Sequence, residues 1–470
     1  MARAQQTHSN RTPPPSHSLL QRASKEVMVP RLMVILSTAA LVVLGLVMVF
    51  SASSVTAFVE QGDAYGETIK QIIFALIGVA ICVGVIIASK AFGFEFMTSK
   101  FVVYAFWGLC VLGILATAAL GKEALGAKRW LYIGPVSIQV AEFMKIALVL
   151  MSARIMIEFN EGMDALKVFV RCAIFIVAPL ALLFVLQSDL GTTVICLVAI
   201  FAILILGGVP ARWIVLLLVL IAALVVAAIA AAPYRMTRFL TFLDPWGNAE
   251  GDGYQIVHSL QALASGGLFG VGLGNSYEKL QYLPEAETDF IFAIIGEELG
   301  LIGAMVVVAL FVVFLYGGYC IAKDASTNYG MLIAGALTTM LVAQAFINIL
   351  CVIGFFPITG KPLPFISSGG SSLISSLLIV GIILSVSFTS EPAETPYQER
   401  REKLHVVSSV DGGGINAQRG DSKERTCVSC FQVVVPPVIS ILRSHLLRRW
   451  KSKAMRSSMR ARRKASRRAW

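Results

Sequence analysis

Five carboxylates fall within the seventeen residues from Tyr282 to Glu298: Glu285, Glu287, Asp289, Glu297 and Glu298. Asp289 is followed at once by the apolar run Phe290, Ile291, Phe292, so it stands at the mouth of a hydrophobic helix. Partial burial there would raise its pKa and let it take a proton from a hydroxyl such as that of a sugar. The rival reading is structural, with Thr288 or Asp289 capping the helix that follows. Glu142 and Lys145 lie three apart, hence on one helical face. They are either a self-neutralising pair that fixes packing or a contact for a substrate. Asp189 sits where two apolar stretches meet with almost no loop, placed to cap the second of them.

These residues are carried by a very apolar chain. Of 470 residues 57% are hydrophobic and only 14% charged, with a mean hydropathy of +0.77. That is too much apolar surface for one soluble globule and marks a membrane protein. A bilayer crossing needs roughly 20 apolar residues of helix, since unpaired backbone groups find no water in the hydrocarbon. About ten such runs are present, at 32–53, 69–89, 101–120, 138–157, 168–186, 190–209, 214–232, 290–319, 331–353 and 367–388. The expected architecture is therefore an all-α polytopic body over 32–390, with a polar leader over 1–31 and a tail over 391–470. The first run is too long, and too far from the start of the chain, for a cleaved signal peptide.

The net charge of +11 resides in the tail, where 18 basic residues face 7 acidic ones, while the other 390 residues balance at 21 against 21. A nucleic-acid enzyme would build its basic surface into the folded body, so nucleic acid is excluded as a partner. Six of the eight cysteines lie in apolar runs, which excludes a disulfide scaffold. An even number of spans puts both termini on one side, and the basic tails make that side cytoplasmic. On this assignment Lys70, Lys122, Lys128, Arg129, Arg235, Arg238, Lys279 and Lys361 lie outside, eight cations against the seven of the inner loops and helix ends, where an inner excess is expected. An anionic ligand that holds some of them there would account for it; solvated loop charges or lipid-headgroup contacts are the plainer account.

The long outer segment 233–288 is rich in Gly, aromatic and charged residues, as functional loops are. Within it Ile256, Val257, Leu260 and Leu263 share one helical face that Gly266 and Gly267 end. This predicts a short helix, lying in the membrane interface or else packing the loop onto the bundle. The tail, with Pro392, Pro396 and Gly412 to Gly414 before its Arg and Lys clusters, reads as a disordered cytoplasmic arm for anionic lipid headgroups or an acidic partner. The lone Cys427/Cys430 pair lacks the second pair a zinc site would need.

The run Gly272, Leu273, Gly274, Asn275, Ser276, then Lys279, Leu280, Tyr282 to Pro284, and Thr288 to Gly300 resembles the SEDS family of bacterial cell-wall polymerases, in its division or sporulation branch more than its elongation branch. Gly126 to Trp130 with Glu142 and Lys145, Asp189 to Thr192, and Pro357 to Ser372 agree. The resemblance implies a peptidoglycan glycosyltransferase that polymerises lipid II on the outer face of the cytoplasmic membrane, at the septum if the division branch holds. The family's essential aspartate falls on Asp289, which would act as general base on the acceptor hydroxyl. Lys128 and Arg129, with Lys361, would hold the pyrophosphate leaving group. Glu142, Lys145 and Asp189 join the implied substrate-binding set. Ser367 and Ser368 would offer hydroxyls and N–H groups to the substrate, or merely allow close helix packing.

The resemblance further implies a class B penicillin-binding protein, a single-span transpeptidase, and other division proteins as partners. This chain has Glu287 where the family usually has His, Ser188 where it has Pro, and Val140 and Ala141 where it has Pro-Ser. The charge of Glu287 beside Asp289 would raise one of the two pKa values or attract a divalent cation, Mg or Mn. The competing readings are a lipid II flippase, which would need polar residues along a path through both leaflets, and a scaffold acting through its tails.

Overall fold

The structure is a computed structural model that describes residues 17–389, apart from 125–126, 134–135 and 231–232. The basic tail from 391, with Cys427 and Cys430, lies outside the described residues, as do the side chains of Lys122, Arg235 and Arg238. Helices cover the apolar runs in order: α1 (His17–Gln61), α2 (Gly66–Phe92), the short α3 (Phe94–Met97), α4 (Lys100–Leu120), α5 (Val140–Asn160), α6 (Ala165–Cys172) continuing through a π turn into α7 (Ala178–Leu186), α8 (Leu190–Leu206) and α9 (Ala211–Ala230). Then come α10 (Pro233–Leu243) and α11 (Tyr254–Gly266) in the long loop, and α12 (Ile291–Lys323), α13 (Asn328–Val352) and α14 (Gly370–Thr389). Seven helices are long and apolar enough to cross a membrane, α8 and α9 are shorter apolar helices, and α5 carries Glu142, Lys145, Arg154 and Glu158. The chain is thus a mostly helical, multi-pass membrane protein. Helix α1 begins before the apolar run, so the leader expected over 1–31 is helical from His17 on.

The helices form two adjoining cores. Helices α1, α2, α12, α13 and α14 bury one around Phe311, Phe314 and Phe365; α4, α5 and α7 bury the other around Met144, Leu148 and Leu183. Helices α5 and α8 contribute to both: α5 also turns Ile146 and Val149 into the first core, and α8 supplies Ile195 to one and Cys196 to the other.

Three features depart from the all-α expectation. Residues 122–138 form a small antiparallel sheet, β1 (Lys122–Ala124), β2 (Ala127–Ile133) and β3 (Val136–Ile138), with Tyr132 opposite Ser137 and Lys122 opposite Trp130. By propensity Gly and Pro disfavour a helix in this stretch of the sequence, while Trp130, Tyr132 and Ile133 suit a strand. Helix α5, expected from Ile138, accordingly starts at Val140. Helix α11 is where the periodicity puts it, and Gly267 ends it at φ +53°. Its apolar face, however, lies against the bundle: Ile256 and Val257 are buried, and Ser259 donates to the Val352 carbonyl at 2.7 Å. The packing alternative holds rather than the interfacial one.

The third departure concerns α12, expected as one span over 290–319. Gly300 breaks it, at φ +69° and ψ −169°. The loop segment 267–272 enters the break and takes up the freed backbone groups. Val271 and Gly272 donate to the carbonyls of Glu297 and Glu298 at 3.0 and 3.1 Å, and Leu301 donates to Gly267 at 2.9 Å. Before the break every residue from Ile291 to Glu298 is buried; after it Leu301, Ile302, Met305 and Val306 are half exposed, as a lipid-facing wall is. Below this junction Glu298 accepts from Lys279 at 2.9 Å and from Ser51 at 2.7 Å, and Glu297 accepts from the Tyr277 backbone at 3.0 Å. The long loop is therefore anchored inside the bundle by a buried ion pair.

A Cβ on Gly300 would stand 2.4 Å from the Gly270 nitrogen and 2.5 Å from the Leu268 oxygen, besides the strain of its φ. Gly300→Ala is expected to cost at least about 1–3 kcal/mol, read as a lowered thermal midpoint in detergent. Gly84→Ala, where a Cβ meets nothing, serves as the unaffected control.

Candidate active site

One end of the bundle collects the sheet, the Asp189 junction, the end of the long loop and the connection between α13 and α14. Asp289 is half-buried there. Phe290 is the N-cap of α12 and contributes no side-chain capping bond, which leaves Asp289 one residue outside the cap, and the Thr288 hydroxyl turns back to Glu285 at 2.6 Å. The place of Asp289 is set by its backbone. The Asn348 side-chain nitrogen donates both to the Asp289 carbonyl at 2.7 Å and to the Lys361 carbonyl at 2.8 Å. Gly360 lies so close that a Cβ on it would be 3.5 Å from Asp289 Oδ2.

The connection 357–369 is an irregular segment held on all sides. Gln344 donates to the Pro362 carbonyl at 2.9 Å, and Gln71 donates to the Ser367 carbonyl at 3.0 Å. The Ser367 hydroxyl accepts from the Leu363 nitrogen at 2.8 Å and donates to the Thr288 carbonyl at 2.5 Å; the Ser368 nitrogen donates to the Glu287 carbonyl at 2.9 Å. Ser367 thus ties this segment to the chain beside Asp289.

Lys361 reaches from the same segment to Asp189, Nζ to Oδ2 2.6 Å, both 3% exposed. Asp189 also caps α8, accepting from the Thr192 nitrogen at 3.0 Å and its hydroxyl at 2.8 Å, as the sequence predicts. Burial pushes the Asp189 carboxyl up, but the Lys361 ammonium and the Thr192 donors together outweigh it and hold the carboxyl below its ordinary value. Gly191 provides the room: a Cβ there would stand 2.8 Å from Lys361 Cγ. Glu142 and Lys145 form the expected buried pair at 2.9 Å, and Lys145 continues to Gln344 at 2.6 Å while Glu142 accepts from Ser375 at 3.1 Å.

Arg129 on β2 donates to the Gln187 and Ser188 carbonyls at 3.0 and 3.1 Å, joining the sheet to the Asp189 junction. Lys128 is half-buried beside it and, among the described residues, has no bond into this assembly. Of the other cations expected outside, Lys279 is paired with Glu298 at 2.9 Å and Lys70 with Glu67 at 2.7 Å. Asp289, Lys361, Asp189, Glu142, Lys145, Ser367 and Ser368 are therefore one connected assembly. Asn348 Oδ1, Glu142 Oε1 and both Gln187 amide atoms are buried without a partner among the described residues, which leaves polar capacity for a substrate or water.

A family model described as "Cell cycle protein", covering FtsW, RodA and SpoVE, matches residues 31–391. The chain belongs to the FtsW/RodA/SpoVE family. It is 38% identical over 362 residues to the stage V sporulation protein E of Bacillus subtilis, covering 76% of this chain and 97% of that one. To the probable peptidoglycan glycosyltransferase FtsW of Taylorella equigenitalis it is 37% identical over 362 residues, covering 73% and 95%. A solved structure described as "Structural coordination of polymerization and crosslinking by a peptidoglycan synthase complex" matches with a TM-score of 0.62 at 25% identity, covering 76% of this chain and 96% of that one. The crystal structure of the rod shape determining protein RodA of Thermus thermophilus shares the fold, with a TM-score of 0.56 at 24% identity over 76% and 97%.

Within this FtsW/RodA/SpoVE member, Ser188 takes φ +48°, a conformation closed to proline, so the replacement of the usual Pro goes with its own backbone path. No group of three or more His, Cys, Asp or Glu side chains converges as a metal site among the described residues. The three amides Gln71, Gln344 and Asn348 were invisible to sequence reasoning, because a lone amide in an apolar run has no spacing to mark it. An intramembrane amide with no periodic reason to be there is the signal that was available. Lys361→Met is expected to destabilise the protein by about 3–5 kcal/mol through the orphaned Asp189 carboxylate. The double variant Lys361→Met/Asp189→Asn should recover most of that loss in the same unfolding measurement, as a directly coupled pair does.

Proposed function

We propose that the chain is a peptidoglycan glycosyltransferase that polymerises lipid II into glycan strands for septal wall synthesis. The observation that carries this reading is the placement of Asp289: half-buried, fixed through Asn348 and Gly360 to the segment that bears Lys361, in a chain of this family. In this reading the chain crosses the cytoplasmic membrane ten times with both termini inside, and Asp289 faces outward.

Asp289 takes the proton from the C4 hydroxyl of the acceptor N-acetylglucosamine. The freed oxygen attacks the anomeric carbon of the donor's N-acetylmuramic acid. The bond from that carbon to the pyrophosphate oxygen breaks, and undecaprenyl pyrophosphate leaves with the electron pair, so the α linkage becomes β. Lys128, with the Arg129 guanidinium nitrogen Nη1 not spent on the Gln187 and Ser188 carbonyls, offers the leaving group positive charge. Lys361 and Lys145, neutralised by Asp189 and Glu142, act on the site by fixing its shape. A divalent cation would find Glu287 and Asp289 as carboxylate ligands and would need substrate oxygens to complete its shell, as Mg usually does. The gathering of buried charge at one end, in closed pairs, supports catalysis at one face over a transport path through both leaflets. A class B penicillin-binding protein and other division proteins are the partners this role requires, and the basic tail would meet anionic lipid.

Purified protein supplied with lipid II in detergent should produce glycan strands. Asp289→Ala should lower the rate by about 10²–10⁴-fold with an unchanged unfolding midpoint. Polymerisation by the Ala variant at the parental rate would remove the general-base assignment, and a rate indifferent to chelator would remove the cation.

A further inference from the structure

At the end of the bundle away from Asp289, where α4 and α13 begin and α5 finishes, lies a cavity of about 330 Å³, the size of a small-ligand site. Its lining carries charge of both signs: Lys100 and Arg154 with Glu95, Glu158 and Glu161. Glu158 is spent within the chain, paired with Arg171 and with Arg154 at 3.8 Å and Lys100 at 4.0 Å. Arg154 gives one guanidinium nitrogen to the Thr98 carbonyl at 2.8 Å, while its buried Nε has no hydrogen-bond partner among the described residues. Glu95, Glu161 and Lys100 are exposed, and neither Glu95 nor Glu161 has an ion-pair partner among the described residues. The first turns of α4 and α13 reach the same cavity through Ser99 and Thr327. Each is the N-cap of its helix, accepting from the Val102 nitrogen at 3.4 Å and the Gly330 nitrogen at 3.0 Å, so two positive helix ends point here. Exposed phenylalanines border the charges: Phe96 follows Glu95, Phe101 follows Lys100 and Phe159 follows Glu158.

That mixture selects the ligand. A lone phosphate would find Lys100, the unused edge of Arg154 and two helix N-termini, but also the carboxylates of Glu95 and Glu161. A lone cation would find those carboxylates and the same surrounding positive charge. A group that carries a phosphate and an ammonium side by side satisfies both. The ammonium must be a primary one, because it then has three N–H bonds for the carboxylates and a quaternary ammonium has none. The helices that build the cavity also end there, the level at which a span leaves the hydrocarbon and headgroups begin, and the exposed phenylalanines cover acyl chains. We infer that the cavity bordered by Glu95, Lys100, Arg154 and Glu161 holds the phosphoethanolamine headgroup of one membrane phospholipid, its phosphate on Lys100, Arg154 and the start of α4, its ammonium on Glu95 and Glu161. A lipid seated there braces the ends of α5 and α13, whose opposite ends carry Glu142, Lys145, Gln344 and Asn348. The site stands independently of the polymerase reading.

The test offers the purified full-length protein, in detergent, phosphatidylethanolamine, phosphatidylcholine and phosphatidylglycerol of matched acyl chains in competition, and counts the lipids retained by native mass spectrometry. The parent should retain one phosphatidylethanolamine about tenfold or more tightly than either rival, the strength of hydrogen bonds to a charged group, and its unfolding midpoint should rise most with that lipid. E95Q/E161Q should bring the ethanolamine lipid down to the level of the choline lipid, and K100Q should weaken both, since both bear the phosphate. All three side chains are exposed, so the variants should keep the parent's midpoint in lipid-free detergent; should one fold poorly, the parent's choice among the three lipids still decides. Equal retention of the three lipids overturns the site, as does a preference that survives E95Q/E161Q. Phosphatidylglycerol held as tightly as phosphatidylethanolamine removes the ammonium assignment and with it the proposal. Displacement of the lipid by an equal concentration of water-soluble O-phosphoethanolamine would make this a site for a small phosphorylated amine and overturn the lipid.

Discussion

Lys361 and Asp189 stand 172 residues apart in sequence and meet at 2.6 Å inside the bundle. Either charge alone would cost several kcal/mol to bury there, so each is tolerable only in the presence of the other. That mutual requirement fixes the connection from α13 to α14 against the junction of α7 and α8, and much else is arranged to permit it. Gly191 lacks a side chain because the lysine stem passes over it, and Thr192 completes the carboxylate's bonds while α8 gains its cap. Arg129 fastens the sheet to the carbonyls immediately before Asp189. The chain thus has one point at which the sheet, the α7–α8 junction and the irregular connection share a single electrostatic balance.

Irregular backbone this deep in an apolar body must have its polar groups met from within. Here side-chain amides perform that task. Gln71 from α2, Gln344 and Asn348 from α13 each reach into 357–369, and Asn348 bonds two carbonyls at once. The Glu142–Lys145 pair stands behind Gln344, so a charge pair on α5 steadies an amide that steadies the connection. Asp289 inherits its position from these contacts.

Local features were legible in the sequence. Hydrophobic runs mark the helices, a three-residue spacing marks the Glu142–Lys145 pair, a junction aspartate marks the α8 cap, and two glycines mark the end of α11. Long-range pairings were not. Nothing in spacing links Lys361 to Asp189 or Lys279 to Glu298, since the partners come from distant segments and the bond exists only once the helices pack. The cations that looked displaced by the charge bias at Lys279 and Lys361 are explained by acids within the chain. Gly300 was overlooked because one glycine in an apolar run barely alters its hydropathy, although it divides α12. The strands at 122–138 were missed for a related reason: they are short, and their alternation is cut by glycines. Asp289 itself was singled out by its setting and by family resemblance together, and its carbonyl tether to Asn348 belongs to neither.

The break at Gly300 makes the stretch from Ile291 to Leu299 a rigid spacer whose far end is clasped by the loop segment 267–272. A helix turns about 100° with each residue. Inserting or deleting a single residue in this spacer would rotate Asp289 away from Gly360 while leaving the clasp in place. Substitutions among its apolar side chains can be absorbed by repacking, but a change in their number cannot. Related proteins should therefore vary in composition between the aspartate and the glycine and keep the count between them constant.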